Sequence, residues 1–210
     1  MNPNPVLRSL LLPVAAMCAI VVASNILVQF PFTPLGLQDY FTWGAFSYPV
    51  AFLVTDLTNR RFGPARARQV VVAGFVAAVA LSVYFANARI AAASGSAFLV
   101  AQLLDVTVFD RLRQGSWWRA PLISSFAGSA VDTAMFFTLA FAPALSVLGP
   151  NNDFAIQPAL LFGGLFGEME RWLGWAISDF ALKLGIGLAM LIPYGALRKL
   201  VSPVQAAAAA

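Results

Sequence analysis

The sequence predicts an all-α polytopic membrane protein, a bundle of six transmembrane helices with its N- and C-termini in the cytoplasm. Three observations carry that prediction. Of the 210 residues, 60% are hydrophobic and 10% charged, against roughly 25% charged in a soluble globular chain. Mean hydropathy is +0.79. The apolar residues gather in runs near the roughly 20 residues that one helical crossing needs, and ten of the thirteen Lys and Arg residues lie in short clusters beside those runs. One transmembrane domain over residues 1–200 and a short tail over 201–210 account for the chain.

The first run, Leu10 to Phe30, exceeds the roughly 7–15 residues of a signal-peptide core and stays as a helix. A turn-rich stretch from Pro31 to Trp43 leads to a short second span, Gly44 to Asn59, which contains Pro49. Arg60, Arg61, Arg66 and Arg68 then form a basic loop before the third span, Val70 to Phe85. The fourth span, Ile90 to Phe109, runs into Arg111, Arg113 and Arg119, and the fifth covers Leu122 to Phe141. A longer link from Pro143 to Arg171 holds the apolar piece AIQPALLFGGLF, too short to span and expected to be re-entrant or interfacial. The sixth span, Trp172 to Leu197, ends at Arg198 and Lys199. With Arg8, these clusters put ten basic residues at one set of helix ends and leave Arg89, Arg171 and Lys183 elsewhere, which assigns the basic ends to the cytoplasm.

Composition also removes function classes. The net charge of +4 is topological rather than a nucleic-acid signal, because its cations border apolar segments. With no histidine, the chain lacks the commonest general base, the commonest zinc ligand and any Ser/His or Cys/His dyad. It has no phosphate-binding G-x-x-x-x-G-K-[ST] loop and no Cys or His cluster for a transition metal. The single cysteine, Cys18, lies in an apolar segment and reads as packing. An enzyme is not expected, and neither is a cofactor.

An ionised side chain at the centre of a spanning helix costs roughly 2.5–3.5 kcal/mol on insertion scales, so Asp105, Asp132, Asp179 and Lys183 would together cost on the order of 10 kcal/mol in lipid. They are expected to face the bundle interior. In the fifth span Ser125, Gly128, Ser129 and Asp132 recur at helical spacing. That stripe fits a substrate-facing wall, or close packing through small residues with Asp132 bonded across the interface. Asp179 and Lys183, four apart, form either a structural ion pair or part of a site. Trp175, one turn earlier, either offers an aromatic face to a planar ligand or anchors the interface. Gln102 and Asp105 share a face of the fourth span and can present donors and acceptors to a base-like solute, with Arg89 where that helix enters from outside. The alternatives are an ion pair of Asp105 at the cytoplasmic end and snorkelling of Arg89 to the outer surface. Asp56, four residues before Arg60, carries the same ambiguity. Asn25 and Gln29 form an amide pair near the outer end of the first helix, for a ligand or for a neighbouring helix. Trp43, Phe46 and Tyr48 make a membrane belt or the lip of a pocket, and short or broken helices are the better pointers to transporter sites.

Seven blocks carry a family resemblance: SNILVQ (Ser24–Gln29), TWGAFSYPVAFLVTDLTNRRFG (Thr42–Gly63), ARIAAAS (Ala88–Ser94), QLLDVTVFDRLRQ (Gln102–Gln114), the pair Trp117 and Trp118, VDTAMFF (Val131–Phe137) and SDFALK (Ser178–Lys183). In this order the sequence resembles the bacterial queuosine precursor transporters, also described as a vitamin uptake family. The resemblance implies a multi-pass importer of the bacterial inner membrane. Its substrates would be 7-cyano-7-deazaguanine and 7-aminomethyl-7-deazaguanine, salvaged for queuosine in tRNA. The link from Pro143 to Arg171 lies outside the resemblance.

The interior chemistry is compatible. A deazaguanine edge offers two adjacent N–H donors to one carboxylate, a carbonyl to an Asn or Gln amide, and a flat face to Trp. Asp132 or Asp179 is expected to take that edge, with Asn25, Gln29 and Gln102 lining the site and Trp43 or Trp175 stacking. Arg89, Asp105 and Lys183 complete the candidate set. The expected partners are a small solute and the lipid bilayer, with a homo-oligomer or a complex with a coupling ATPase left open and no nucleic acid. The rival readings are a substrate-capturing subunit of an energy-coupling-factor system and a structural membrane protein whose buried charges only pair.

Overall fold

The computed structural model describes residues 5–164 and 167–201, so residues 202–210 of the expected tail and residues 165–166 of the outer link lie outside the described residues. The elements are α1 (Pro5–Leu27), α2 (Trp43–Ser47), α3 (Val50–Phe62), α4 (Pro64–Phe85), α5 (Ala88–Leu112), α6 (Arg119–Phe141), α7 (Asp153–Ile156), β1 (Pro158–Leu160), β2 (Glu168–Glu170) and α8 (Arg171–Leu197). Among the described residues five helices, α1, α4, α5, α6 and α8, are long and apolar enough to cross a membrane. Their boundaries have local causes. Gly63, at φ +82°, ends α3 by donating its N–H to Asn59 O at 2.9 Å, and Pro64 starts α4 at once. Asn87 caps α5 by accepting from Ile90 N at 2.9 Å.

The second expected span is not one helix. Tyr48 and Pro49 keep helical dihedrals, but Pro49 has no N–H to continue the ladder. Ala51 and Phe52 instead bond three residues back, to Tyr48 O and Pro49 O at 3.0 and 3.2 Å. The short α2 therefore stands apart from α3, against the end of α1. There Gly44 allows contact so close that a Cβ would lie 2.7 Å from Val28 N and 2.9 Å from Ser24 O. Ser24 and Ser47 hydroxyls share a hydrogen bond of 2.9 Å across the same contact.

The purely helical expectation also needs a correction in the outer link. Strands β1 and β2 pair antiparallel, Pro158 opposite Glu170 and Leu160 opposite Glu168. Too short to cross a bilayer, this segment satisfies its backbone in a small hairpin beside the start of α8. Burial is inverted relative to a soluble domain. Asp56, Arg89, Gln102, Asp105, Asp132 and Lys183 are buried, while Leu12 and Ile192 are 79% and 78% exposed, as expected where lipid surrounds the bundle. One apolar core joins α1, α3, α4 and α5 around Met17, Val70, Val71 and Phe98. A second, around Phe137 and Phe141, ties α5, α6 and α8 near the outer link.

Candidate functional site

A cavity of about 480 Å³ lies among the ends of α1, α2, α5, α6 and α8, at the opposite end of the bundle from the arginine-rich joints. Its volume is within the roughly 300–1,000 Å³ usual for small-molecule sites. Its floor is charged. The i, i+4 spacing puts Asp179 and Lys183 on one face of α8, and packing of α6 on α8 brings Asp132 to the same ammonium. Lys183 Nζ lies 2.7 Å from Asp132 Oδ2 and 2.5 Å from Asp179 Oδ2. Thr133 donates to Asp179 Oδ2 at 2.7 Å and accepts from Lys183 at 3.2 Å. Tyr48, at the joint of α2 and α3, donates its hydroxyl to Asp132 Oδ1 at 3.3 Å. Its ring centroid is 5.6 Å from Lys183 Nζ, within cation–π range.

Two carboxylates around one ammonium leave the floor formally anionic. The two acids differ in what remains free. Both oxygens of Asp132 are engaged, by Tyr48 and by Lys183. Asp179 Oδ1 takes part in none of these bonds, so Asp179 is the acid with acceptor capacity left for a solute.

Above the floor the walls are aromatic, built by Phe136, Phe137 and Phe141 of α6 and Trp175 of α8. Trp175 meets Phe141 edge-on with centroids 5.7 Å apart. Its Nε1 donates to Asp39 O at 2.8 Å, which ties the 31–42 loop over the cavity and fixes the ring. At the rim Arg171 lies 4.1 Å over the Phe154 ring. Asn25 also lines the cavity and donates to Val21 O at 2.9 Å, leaving its Oδ1 to accept.

Five of the ten sequence-expected residues thus come together: Asn25, Asp132, Trp175, Asp179 and Lys183. The other five stand elsewhere. Gln29 is exposed at the end of α1, with Nε2 donating to Asn25 O at 3.4 Å. Trp43 packs edge-on against Phe32, centroids 4.7 Å apart, and pins α2 to the preceding loop. Arg89 neither snorkels nor lines the cavity. Its guanidinium donates to Leu139 O, Ala142 O, Gly149 O, Pro150 O and Asn151 Oδ1 at 2.7–3.3 Å, closing the end of α6 and the link that follows. Gln102 accepts from Thr55 at 2.6 Å in the interior of the bundle, and Asp105 is buried towards the arginine-rich end.

The sequence reading passed over Thr133 and the Phe136, Phe137 and Phe141 wall. Their signal was helical spacing: Phe136 stands four residues after Asp132, and Phe137 four after Thr133. From the sequence Tyr48 is expected only as an aromatic of a membrane belt or pocket lip. The contact of its hydroxyl with Asp132 depends on the α2–α3 joint, which spacing alone does not give.

Long apolar helices around a charged, aromatic-walled cavity define a multi-pass membrane protein with room for a small solute. The family model described as "Putative vitamin uptake transporter" matches residues 42–88 and 82–197. The "Queuosine precursor transporter" of Escherichia coli (strain K12) is 35% identical over 200 residues, covering 85% of this chain and 81% of its own length. The "Probable queuosine precursor transporter" of Haemophilus influenzae is 36% identical over 208 residues, 84% of this chain and 80% of its own. That of Bacillus subtilis (strain 168) is 28% identical over 185 residues, 77% and 73%. No solved structure matches the chain. The chain belongs to the vitamin uptake transporter family that this model describes.

Proposed function

We propose that the protein is a carrier of the bacterial inner membrane that imports a queuosine precursor, 7-cyano-7-deazaguanine or its 7-aminomethyl analogue, for salvage into tRNA. The observation that carries this reading is the joining of an anionic floor to aromatic walls in one cavity. Asp179 Oδ1 accepts from the N–H edge of the guanine-like ring, Asn25 adds a polar contact, and Trp175 with the α6 phenylalanines encloses the flat face. Lys183 and Asp132 hold Asp179 in place. The names of the relatives support the substrate class.

The topology belongs to the same proposal. The run from Trp43 to Phe62 has about 20 residues, the length of one crossing, and Tyr48 and Pro49 keep helical dihedrals at its joint, so in this reading α2 and α3 together make a sixth crossing. Six crossings return both ends to the cytoplasm, the side of the arginine clusters, and the cavity then faces outward. A chain acting alone is the reading adopted. The deciding experiment is uptake of labelled precursor into proteoliposomes containing only this chain. Saturable accumulation, competed by unlabelled precursor, supports the carrier. Binding without uptake, together with co-purifying ATPase subunits, would replace it with a substrate-capturing subunit.

A further inference from the structure

A second polar cluster lies beneath the cavity, towards the arginine-rich end, and the substrate site does not use it. Asp105 on α5 is 0% exposed, and neither of its oxygens accepts a hydrogen bond from a described donor. Asp56 on α3, 2% exposed, and Ser124 on α6 are its polar neighbours. The hydroxyl of Ser124 donates to Asp56 Oδ1 at 3.4 Å. Among the described residues no ion pair engages either acid.

The charged and titratable groups on the helices packed around the cluster have other partners: on α6 the buried acid is Asp132, which is held by Lys183. Arg60 of α3 and Arg198 of α8 act on Tyr194, and Arg198 also lies 4.6 Å over the Trp117 ring. Lys183 of α8 is held by Asp132 and Asp179. Among the described residues the buried positions of α1 and α4 are apolar except Ser24 and Ser82, and none is charged. Two adjacent carboxylates out of water, with no cation beside them, cannot both stay ionised. One proton between them removes a charge and supplies the missing donor.

An independent feature connects this cluster to the floor of the cavity. A void of about 10 Å³, room for about one water, has Asp56, Ser125, Ser129, Lys183 and Tyr194 among its lining residues. Tyr194 is 1% exposed, and among the described residues its hydroxyl makes no hydrogen bond, with Arg60 its nearest named cation. A buried donor with no described acceptor, beside a water-sized void and a carboxyl, is the arrangement that a proton relay needs.

We propose that Asp56 and Asp105 hold one proton between them and form the coupling site of the carrier, loaded through the void beside Lys183 and emptied at the arginine-rich end. On release the pair opens to cytoplasmic water, one carboxyl O–H breaks and the proton passes to that water, which solvates the two carboxylates; the pair closes again only when the next proton enters from the outer side. The proposal rests on the carrier reading above, since coupling needs a transported solute. It adds to that reading the driving ion and its site.

The test uses the full chain in proteoliposomes at zero membrane potential, with Asp105→Asn and Asp56→Asn beside the wild type. For one proton per solute, a gradient of one pH unit drives roughly tenfold accumulation. Wild type is expected to reach it and to move protons inward when precursor is added. Each variant is expected to lose gradient-driven accumulation while keeping precursor-dependent thermal stabilisation and exchange of labelled for unlabelled precursor. Asn is isosteric with a protonated Asp, and melting temperature monitors folding. Infrared spectra at neutral pH supply a readout independent of transport: a protonated-carboxyl stretch in wild type that disappears in the double variant. Wild-type accumulation by either single variant, a sodium requirement in place of the proton gradient, or absence of the carboxyl band would overturn the coupling site. A wild type that takes up no precursor would overturn the substrate assignment, while the band still decides whether the pair holds a proton.

Discussion

Lys183 neutralises two carboxylates on two helices, and the charge arithmetic ranks its substitutions. Lys183→Met leaves Asp132 and Asp179 as uncompensated neighbours, whereas Asp132→Asn leaves one acid and one ammonium. Removing one partner of a buried pair costs about 3–5 kcal/mol when the other charge is stranded. Lys183→Met is therefore expected to lower the melting temperature in detergent far more than Asp132→Asn, and equal losses would contradict the shared ammonium. Asp179→Asn is expected to act on the solute instead. It keeps the bond from Thr133 available but changes the only floor oxygen outside the network, so precursor affinity should fall roughly tenfold, the equivalent of one charge-assisted hydrogen bond. Titration by thermal shift measures it. The i, i+4 pairing of Asp179 with Lys183 was legible in the sequence because both lie on one helix. The bond from Lys183 to Asp132, 51 positions away, was not, because it depends on how α6 and α8 are turned towards each other.

Elements show where spacing stops being informative. Long apolar runs and basic clusters placed five helices, with ends that differ by up to six residues because Pro5 and Pro64 start α1 and α4 before the apolar runs begin. Pro49 marked the second span as unusual, yet the break into α2 and α3 follows from the hydrogen bonds around it and from the close approach of α2 to α1. Gly44→Ala tests that approach. Its Cβ would meet backbone atoms Val28 N and Val28 Cα at 2.7 and 2.8 Å, and backbone cannot swing aside as a side chain does. An overpacking cost of about 1–3 kcal/mol is expected, with α2 displaced from α1 and the cavity lip with it, seen as a lower melting temperature and weaker precursor binding together. Arg89 shows the converse, a charge read as a ligand group that serves an element. Its five acceptors belong to the end of α6 and the link to α7, and three lysine donors on a single nitrogen cannot span them. Arg89→Lys is expected to raise hydrogen exchange in residues 142–151 while leaving exchange in α4 unchanged. Protection that stays at the wild-type level would show that the link is held by other contacts.

At the scale of the whole molecule, the arginine clusters and the cavity lie at opposite ends, and that separation gives the transporter a direction. In the proposed topology the positive residues lie on the cytoplasmic side and the cavity opens outward, as an importer must begin. A labelling experiment in a Cys18→Ala background reads this directly. Gln38 is exposed at the cavity end and Gln114 is exposed in the joint between α5 and α6. A membrane-impermeant thiol reagent is expected to modify Gln38→Cys but not Gln114→Cys in right-side-out vesicles, with the pattern reversed in inside-out vesicles. Ser94→Cys, which lines the cavity, should label from the outside and be protected by precursor, because the solute and the reagent then compete for one volume. Labelling of Gln38→Cys and Gln114→Cys from the same side would mean an even number of crossings between them. Three helices, α3, α4 and α5, join those two positions, so that result would remove α3 from the set of spanning elements and with it the six-crossing topology. Protection of Ser94→Cys would survive such a revision, since it depends only on the cavity that α5, α6 and α8 enclose.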